Sequence, residues 1–293
     1  MAQRPVLIAV ETNAESKHIS DHGRRAAQTN QQPCRLMSVV EPPGYLYPEM
    51  ELTSMAAYAR EWQHRQLSLA RSFLARLGGG VHPKHVLVAE GHPVTRIAAA
   101  ADELDASLIV MGLHNRSGLN RLLGSTTHGV LNETQRPLLA VHPEATPGQY
   151  RRVLVAVDTS TVASDVLTYA RPYIDAAEQA AILSVITPIS ELPPAPGTLG
   201  TATFSLSQIR DDLHTEIIQQ QARRLHNLGY DDQLLMVVQG NPRDEILKAA
   251  SNLPADLIIM GTNNRNMLGR LLLGSTTHGV LNSAPCSVLV YSD

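Results

Sequence analysis

Short apolar runs alternate with longer polar stretches along the whole chain, and the alternation occurs twice. Residues 6–10 (VLIAV) are apolar without interruption. That pattern predicts a strand covered on both faces, as in a parallel sheet. The run returns as VLVAV at 153–157. Helix-permissive stretches follow at 14–29 and 161–177. Second apolar runs come at 35–40 and 181–186. Long helical patterns come next. In the first half they rest on Met55, Ala59, Trp62, Leu69, Phe73 and Leu77, with Trp62 as the expected core anchor; in the second they rest on Ile209, Leu213, Ile217, Leu225 and Leu228. Third strands are predicted at 85–89 and 234–238. The matched turns Gly91-His92-Pro93 and Gly240-Asn241-Pro242 open helices at 94–104 and 243–253, with proline where a first helical turn tolerates it. Fourth strands follow at 108–111 (LIVM) and 257–260 (LIIM), and closing strands at 138–141 and 287–290.

Strands alternating with helices predict an α/β fold: two tandem doubly wound domains, each with a five-stranded parallel sheet. Their expected bounds are 1–145 and 150–293. Between the last strand of one and the first of the next lies PEATPGQY, a short linker that keeps the domains close. An internal pseudo-dimer is expected, with the closing strands as candidate pairing edges. The repetition is most literal near each end. Residues 122–132 and 272–282 both read LLGSTTHGVLN. Each copy is a Gly-Ser-Thr-Thr turn entering a helix, a structure suited to holding an anion.

Composition narrows the function. The chain has 293 residues, a formal net charge of −3 and only 4% aromatic residues. There is no long basic block, so nucleic acid and anionic membranes are not indicated as partners. No stretch has the length of a membrane span. The two cysteines, Cys34 and Cys286, occupy non-equivalent positions and suggest a reducing compartment. A cytoplasmic location is expected. His82, His85 and His92 cluster in the first half without an equivalent in the second, and a loop is favoured over a metal site.

In an open α/β sheet, ligands bind beyond the carboxyl ends of the strands, where strand order reverses. An acidic residue follows the first strand of each half, Glu11 or Asp158. The fourth strand opens a loop at Gly112 or Gly261 that closes at Gly124-Ser125 or Gly274-Ser275. Glycine admits a phosphate close to the backbone. Hydroxyls and N–H groups at a helix start favour an anion. The acid can accept hydrogen bonds from a ribose or base. A nucleotide is the candidate ligand. The plain alternative is a tight turn with an N-cap serine.

These residues resemble the universal stress protein family in its tandem form. Its nucleotide motif is Gly, two residues, Gly, nine residues, then Gly and Ser or Thr, after a strand ending Ile-Val-Met. The second half keeps that spacing from Gly261 to Gly274-Ser275, with Asn264 at the second glycine. The first half has Asn115 there, and its span to Gly124 is one residue short. The resemblance implies adenine-nucleotide contacts, with ATP and Mg, at Asp158, Val185, Met260, Gly261, Asn264, Gly274, Ser275 and Thr276. Weaker counterparts are Glu11, Val39, Met111, Gly112, Asn115, Gly124, Ser125 and Thr126. It further implies a stress-response protein regulated by nucleotide, not an enzyme, with any ATP hydrolysis slow. An unidentified protein partner and a homodimer of whole chains are further expectations. The rivals are an interaction module of the same family without nucleotide and a true hydrolase. Nucleotide is expected mainly in the second domain.

Overall fold

The uninterrupted apolar runs become central strands because helices cover both of their faces. In the computed structural model Val6, Leu7 and Ile8 have no exposed surface, and neither do Val153, Leu154 and Val155. Residues 4–42, 56–78, 85–113, 124–146, 150–187, 206–262 and 273–292 are described. The first repeat holds β1 (Val6–Ala9), α1 (Ser16–Thr29), β2 (Cys34–Val40), α2 (Ala56–Leu77), β3 (Val86–Glu90), α3 (Pro93–Glu103), β4 (Leu108–Gly112), α4 (Ser125–Glu133) and β5 (Leu138–Val141). The second holds β6 (Arg152–Val157), α5 (Val162–Ala176), β7 (Gln179–Ile186), α6 (Leu206–Asn227), β8 (Leu235–Gln239), α7 (Pro242–Asn252), β9 (Leu257–Gly261), α8 (Ser275–Ser283) and β10 (Ser287–Tyr291).

The described residues form two compact units. One takes in those of Met1–Gln149 with Leu273 and those of Cys286–Asp293; the other takes in those of Tyr150–Asn263 and Gly274–Pro285. In the first unit β1 lies between β2 and β4, with β3 beyond β2 and β5 beyond β4, all parallel. In the second, β6 lies between β7 and β9, with β8 beyond β7, again parallel. Strand order therefore reverses beside the first strand of each repeat.

The closing strand β10 belongs to the first unit. It runs antiparallel to β5, with Val288 opposite Ala140 and Val290 opposite Leu138. Ser287 has no exposed surface there, and its hydroxyl accepts the His142 N–H at 3.1 Å. The closing strands thus pair, and the second unit is left with four strands of its own.

Boundaries shift where caps decide them. The Asp231 carboxylate accepts the Gln233 N–H and winds Asp232–Leu234 into a 3-10 turn, so β8 begins at Leu235. The Asn241 side chain accepts from Arg243 and Asp244 and starts α7 at Pro242. The helical stripe of α2 also needs correction. Leu69 is 52% exposed, whereas Ala70 and Leu74 are buried, so Leu69 falls off the stripe while Ala59, Phe73 and Leu77 lie on it half-buried. Trp62 is half-buried.

One core residue carries an acid sensitivity. His22 in α1 is 1% exposed, and its ring meets His18 edge-on at 4.8 Å. Burial first, and His18 second, lower its pKa from 6.5 to about 4. The unfolded imidazole binds a proton that the folded one refuses. Stability from this group is therefore whole above the unfolded value and declines as pH falls toward the folded one. Between pH 7 and pH 5 the loss should be about 2 kcal/mol in urea unfolding. The His22→Asn variant should show a flatter profile over that window; an unchanged slope would assign the sensitivity elsewhere.

Candidate functional site

The parallel register sets the site. Pairing of Val153 with Leu257 through Ala156 with Met260 brings the carboxyl ends of β6 and β9 side by side. Asp158 follows β6, and Gly261 ends β9. The first unit repeats this, with Val6 to Ile8 on Leu108 to Val110, bringing Glu11 and Gly112 to neighbouring strand ends. Val185 and Val39 stand half-buried near the ends of the second strands, and Met260 and Met111 are buried. Asn115 and Asn264 lie outside the described residues, as do Arg116, Arg121, Arg265, Arg270, His82 and the stretch 188–204.

The repeated GSTT block divides by depth. Gly274 and Gly124 are the N-caps of α8 and α4. No side chain caps either helix, so the serine is the first helical residue rather than the cap. The first N–H groups of a helix have no intrahelical partner. Ser275 and Ser125 are exposed, and Thr276 and Thr126 are half-buried. The second threonine does something else. Thr277 and Thr127 are buried, and their hydroxyls donate to the Gly261 carbonyl at 3.5 Å and the Gly112 carbonyl at 3.0 Å. They tie the helix start to the fourth strand's end, a role the sequence pattern did not separate from that of the preceding hydroxyls.

The glycines also differ in purpose. Gly274 has φ −59 and ψ 150, which any residue adopts, so its backbone conformation does not require glycine. Gly261 is required by packing: a Cβ there would come within 2.9 Å of Val166 Cγ2 in α5. It closes the strand against the helix, whatever it does for a ligand.

The acidic ends are held differently in the two repeats. Asp158 is exposed, and its Oδ1 accepts the Ser160 N–H at 2.9 Å and the Ser160 hydroxyl at 2.5 Å. Its carbonyl accepts from Gln221 Nε2 and Arg224, each at 2.9 Å. Burial lowers the Arg224 pKa, with Asp158 working in the opposite direction. Glu11 is also exposed, and its carboxylate accepts from Asn13 at 3.1 Å. Its carbonyl accepts the Ser16 hydroxyl. The sequence pattern does not single out Gln221 or Arg224; the signal it carries is a glutamine standing between Ile217 and Leu225 on an apolar stripe.

A separate hollow of about 470 Å³ lies between α5 and α6 and is lined by Ser164, Glu216, Gln220, Arg223, Arg224, Asn227 and Leu228. None of the predicted nucleotide contacts lines it, so it is not the crevice at the strand reversal. His85 contacts the Arg35 guanidinium, and His92 stands at the N-cap of α3. Among the described residues no cluster of three metal-ligating side chains occurs. Nor is any described helix long and apolar enough to cross a membrane. Gly261→Ala should lower stability by about 1–3 kcal/mol through overpacking. Adding Val166→Ala should recover much of that in denaturant unfolding; additive losses would refute the contact.

Comparison with known proteins agrees with this geometry. The profile of the Universal stress protein family matches residues 3–142 and again 149–292. A Thermus aquaticus protein, "Universal stress protein in QAH/OAS sulfhydrylase 3'region", is 33% identical over 141 residues, 48% of this chain and 98% of its own length. Universal stress protein Rv2005c of Mycobacterium tuberculosis is 23% identical over 297 residues, covering 98% of this chain and 97% of its own. Among solved structures, the functionally unknown protein PA1789 of Pseudomonas aeruginosa PAO1 superposes with a TM-score of 0.69 at 16% identity, covering 99% of this chain and 92% of that one. With two family matches that together span nearly its whole length, this chain belongs to the universal stress protein family.

Proposed function

We propose that the chain is a cytoplasmic, nucleotide-modulated stress-response protein that binds adenine nucleotide, ATP foremost, in its second repeat. The observation that carries this reading is the adjacency of β6 and β9. It brings Asp158 and the Gly261 strand end to one crevice, onto which the Gly274-Ser275 helix start is tied by Thr277. Acceptors for ribose or base then stand on one side, and helix N–H groups suited to phosphate on the other. The family resemblance supports the same ligand class.

Binding, not turnover, is the proposed activity. Occupancy would bias the conformation offered to a protein partner, with hydrolysis slow and incidental. The first repeat is the weaker site in this reading. Its loop is a residue short, and Glu11 carries an extra methylene at the ribose end.

A second reading, an interaction module without nucleotide, draws support from two observations. Asn264 stands where the family motif has glycine, and one Asp158 oxygen is already bonded by Ser160. Thermal unfolding of the purified protein with ATP and Mg, ADP, AMP or cyclic AMP separates the two readings. A ligand at 100 times its Kd should stabilise by about 2.7 kcal/mol. Asn264→Gly should strengthen that effect, and Asp158→Ala should weaken it. The nucleotide reading fails if none of the four ligands moves the transition.

A further inference from the structure

The carbonyl that leaves the first strand of each repeat is satisfied in two different ways, and the difference lies at the proposed nucleotide site. In the first repeat the solution is local. Ser16, with no exposed surface, donates its hydroxyl to the Glu11 carbonyl. The Ser16 hydroxyl also lies 3.1 Å from Asn13 Oδ1, which accepts the Glu15 N–H at 3.0 Å. The loop is held by its own side chains.

The second repeat lacks that serine. Aligning Glu11 with Asp158 puts Ala163, 2% exposed, at the position of Ser16. The bond is supplied instead from α6. Gln221 has no exposed surface and donates to the Asp158 carbonyl at 2.9 Å and the Ser184 hydroxyl at 3.3 Å. Arg224 donates to three successive carbonyls: Asp158 at 2.9 Å, Thr159 at 3.3 Å and Ser160 at 2.8 Å. It also donates to Gln221 Oε1 at 3.1 Å, which joins the two side chains into one clamp. A guanidinium carries its donors in a fixed planar fork, so three bonded carbonyls define the loop's orientation.

The corresponding helix of the first repeat, α2, does not carry these two donors at the matching positions. Aligning Leu77-Gly78 with Leu228-Gly229 matches the fully buried Leu74 with the fully buried Leu225. Ala70 then stands at Gln221 and Phe73 at Arg224. Neither side chain can donate a hydrogen bond. The exchange of Ser16 for Ala163 is thus matched by that of Ala70 and Phe73 for Gln221 and Arg224.

We infer that Gln221 and Arg224 are positioning residues of the second repeat's nucleotide site, fixing the Asp158–Ser160 loop from α6 so that the Asp158 carboxylate is set for its ligand. The inference rests on the nucleotide reading above. It makes the seating of α6 a determinant of affinity, which the first repeat's locally held loop does not share. Gln221 and Arg224 need not touch the ligand; they act through the backbone that carries Asp158.

The test uses the full chain and three forms: wild type, Gln221→Ala with Arg224→Phe, and that double variant with Ala163→Ser added. ATP affinity is measured by calorimetry, and exchange of the amides at 158–163 by mass spectrometry without nucleotide. The double variant should bind ATP about tenfold more weakly. Its loop amides should exchange faster. Ala163→Ser, which restores the first repeat's local hydroxyl, should slow exchange again and recover part of the affinity, an effect that general destabilisation would not produce. Unchanged affinity together with unchanged exchange in the double variant overturns the inference. Absence of ATP binding by wild type overturns the nucleotide reading instead, and loop exchange then still reports on the clamp. A double variant that fails to fold is replaced by Arg224→Lys, which keeps the charge, loses the fork and should give an intermediate exchange rate; a wild-type rate would overturn the inference.

Discussion

A parallel sheet buried on both faces is the constraint on which the rest depends. It requires strands without polar interruption, and it requires crossover helices between them. Crossovers put every strand's carboxyl end on the same edge of the sheet. With β1 between β2 and β4, and β6 between β7 and β9, the connections leave in opposite directions beside the first strand. The opening that results belongs to the topology and exists before any ligand. What each repeat adds is the chemistry around it: an acid after the first strand and a helix start after the fourth.

The two repeats share that topology and diverge in how they support it. The GSTT block is common to both, and its buried threonine performs the same tie in each. The acidic loop is not common. One copy is self-contained through Ser16, and the other hangs from α6 through Gln221 and Arg224. The differences fall at the loop that carries the acid, whereas the central strands stay equally buried.

Much of this was legible from residues alone. Uninterrupted runs such as VLIAV and LIIM declare strands covered on both faces, and Gly-x-Pro marks the start of the helix after the third strand. The crevice follows from the first and fourth strands being neighbours. Legibility ended where meaning depends on a distant partner. Gly261 reads as space for a phosphate, yet its missing Cβ accommodates Val166. Leu69 fits a helical period but faces outward, because the stripe is set by what α2 packs on. Gln221 reads as a break in an apolar stripe; only the fold supplies the carbonyl it serves. The closing strands read as candidate pairing edges, and β10 does pair with β5; that β10 thereby joins the first unit is not written in any local pattern.

The central claim is that, of two similar crevices, the one in the second repeat is the stronger nucleotide site. It is tested most directly by counting adenine nucleotide bound per chain at saturation, by equilibrium dialysis followed by denaturing release and mass measurement. One tightly bound nucleotide per chain is expected, lost when Asp158 is replaced and retained when Glu11 is. Two nucleotides of equal affinity, none, or a tightly bound one that depends on Glu11 instead would contradict it.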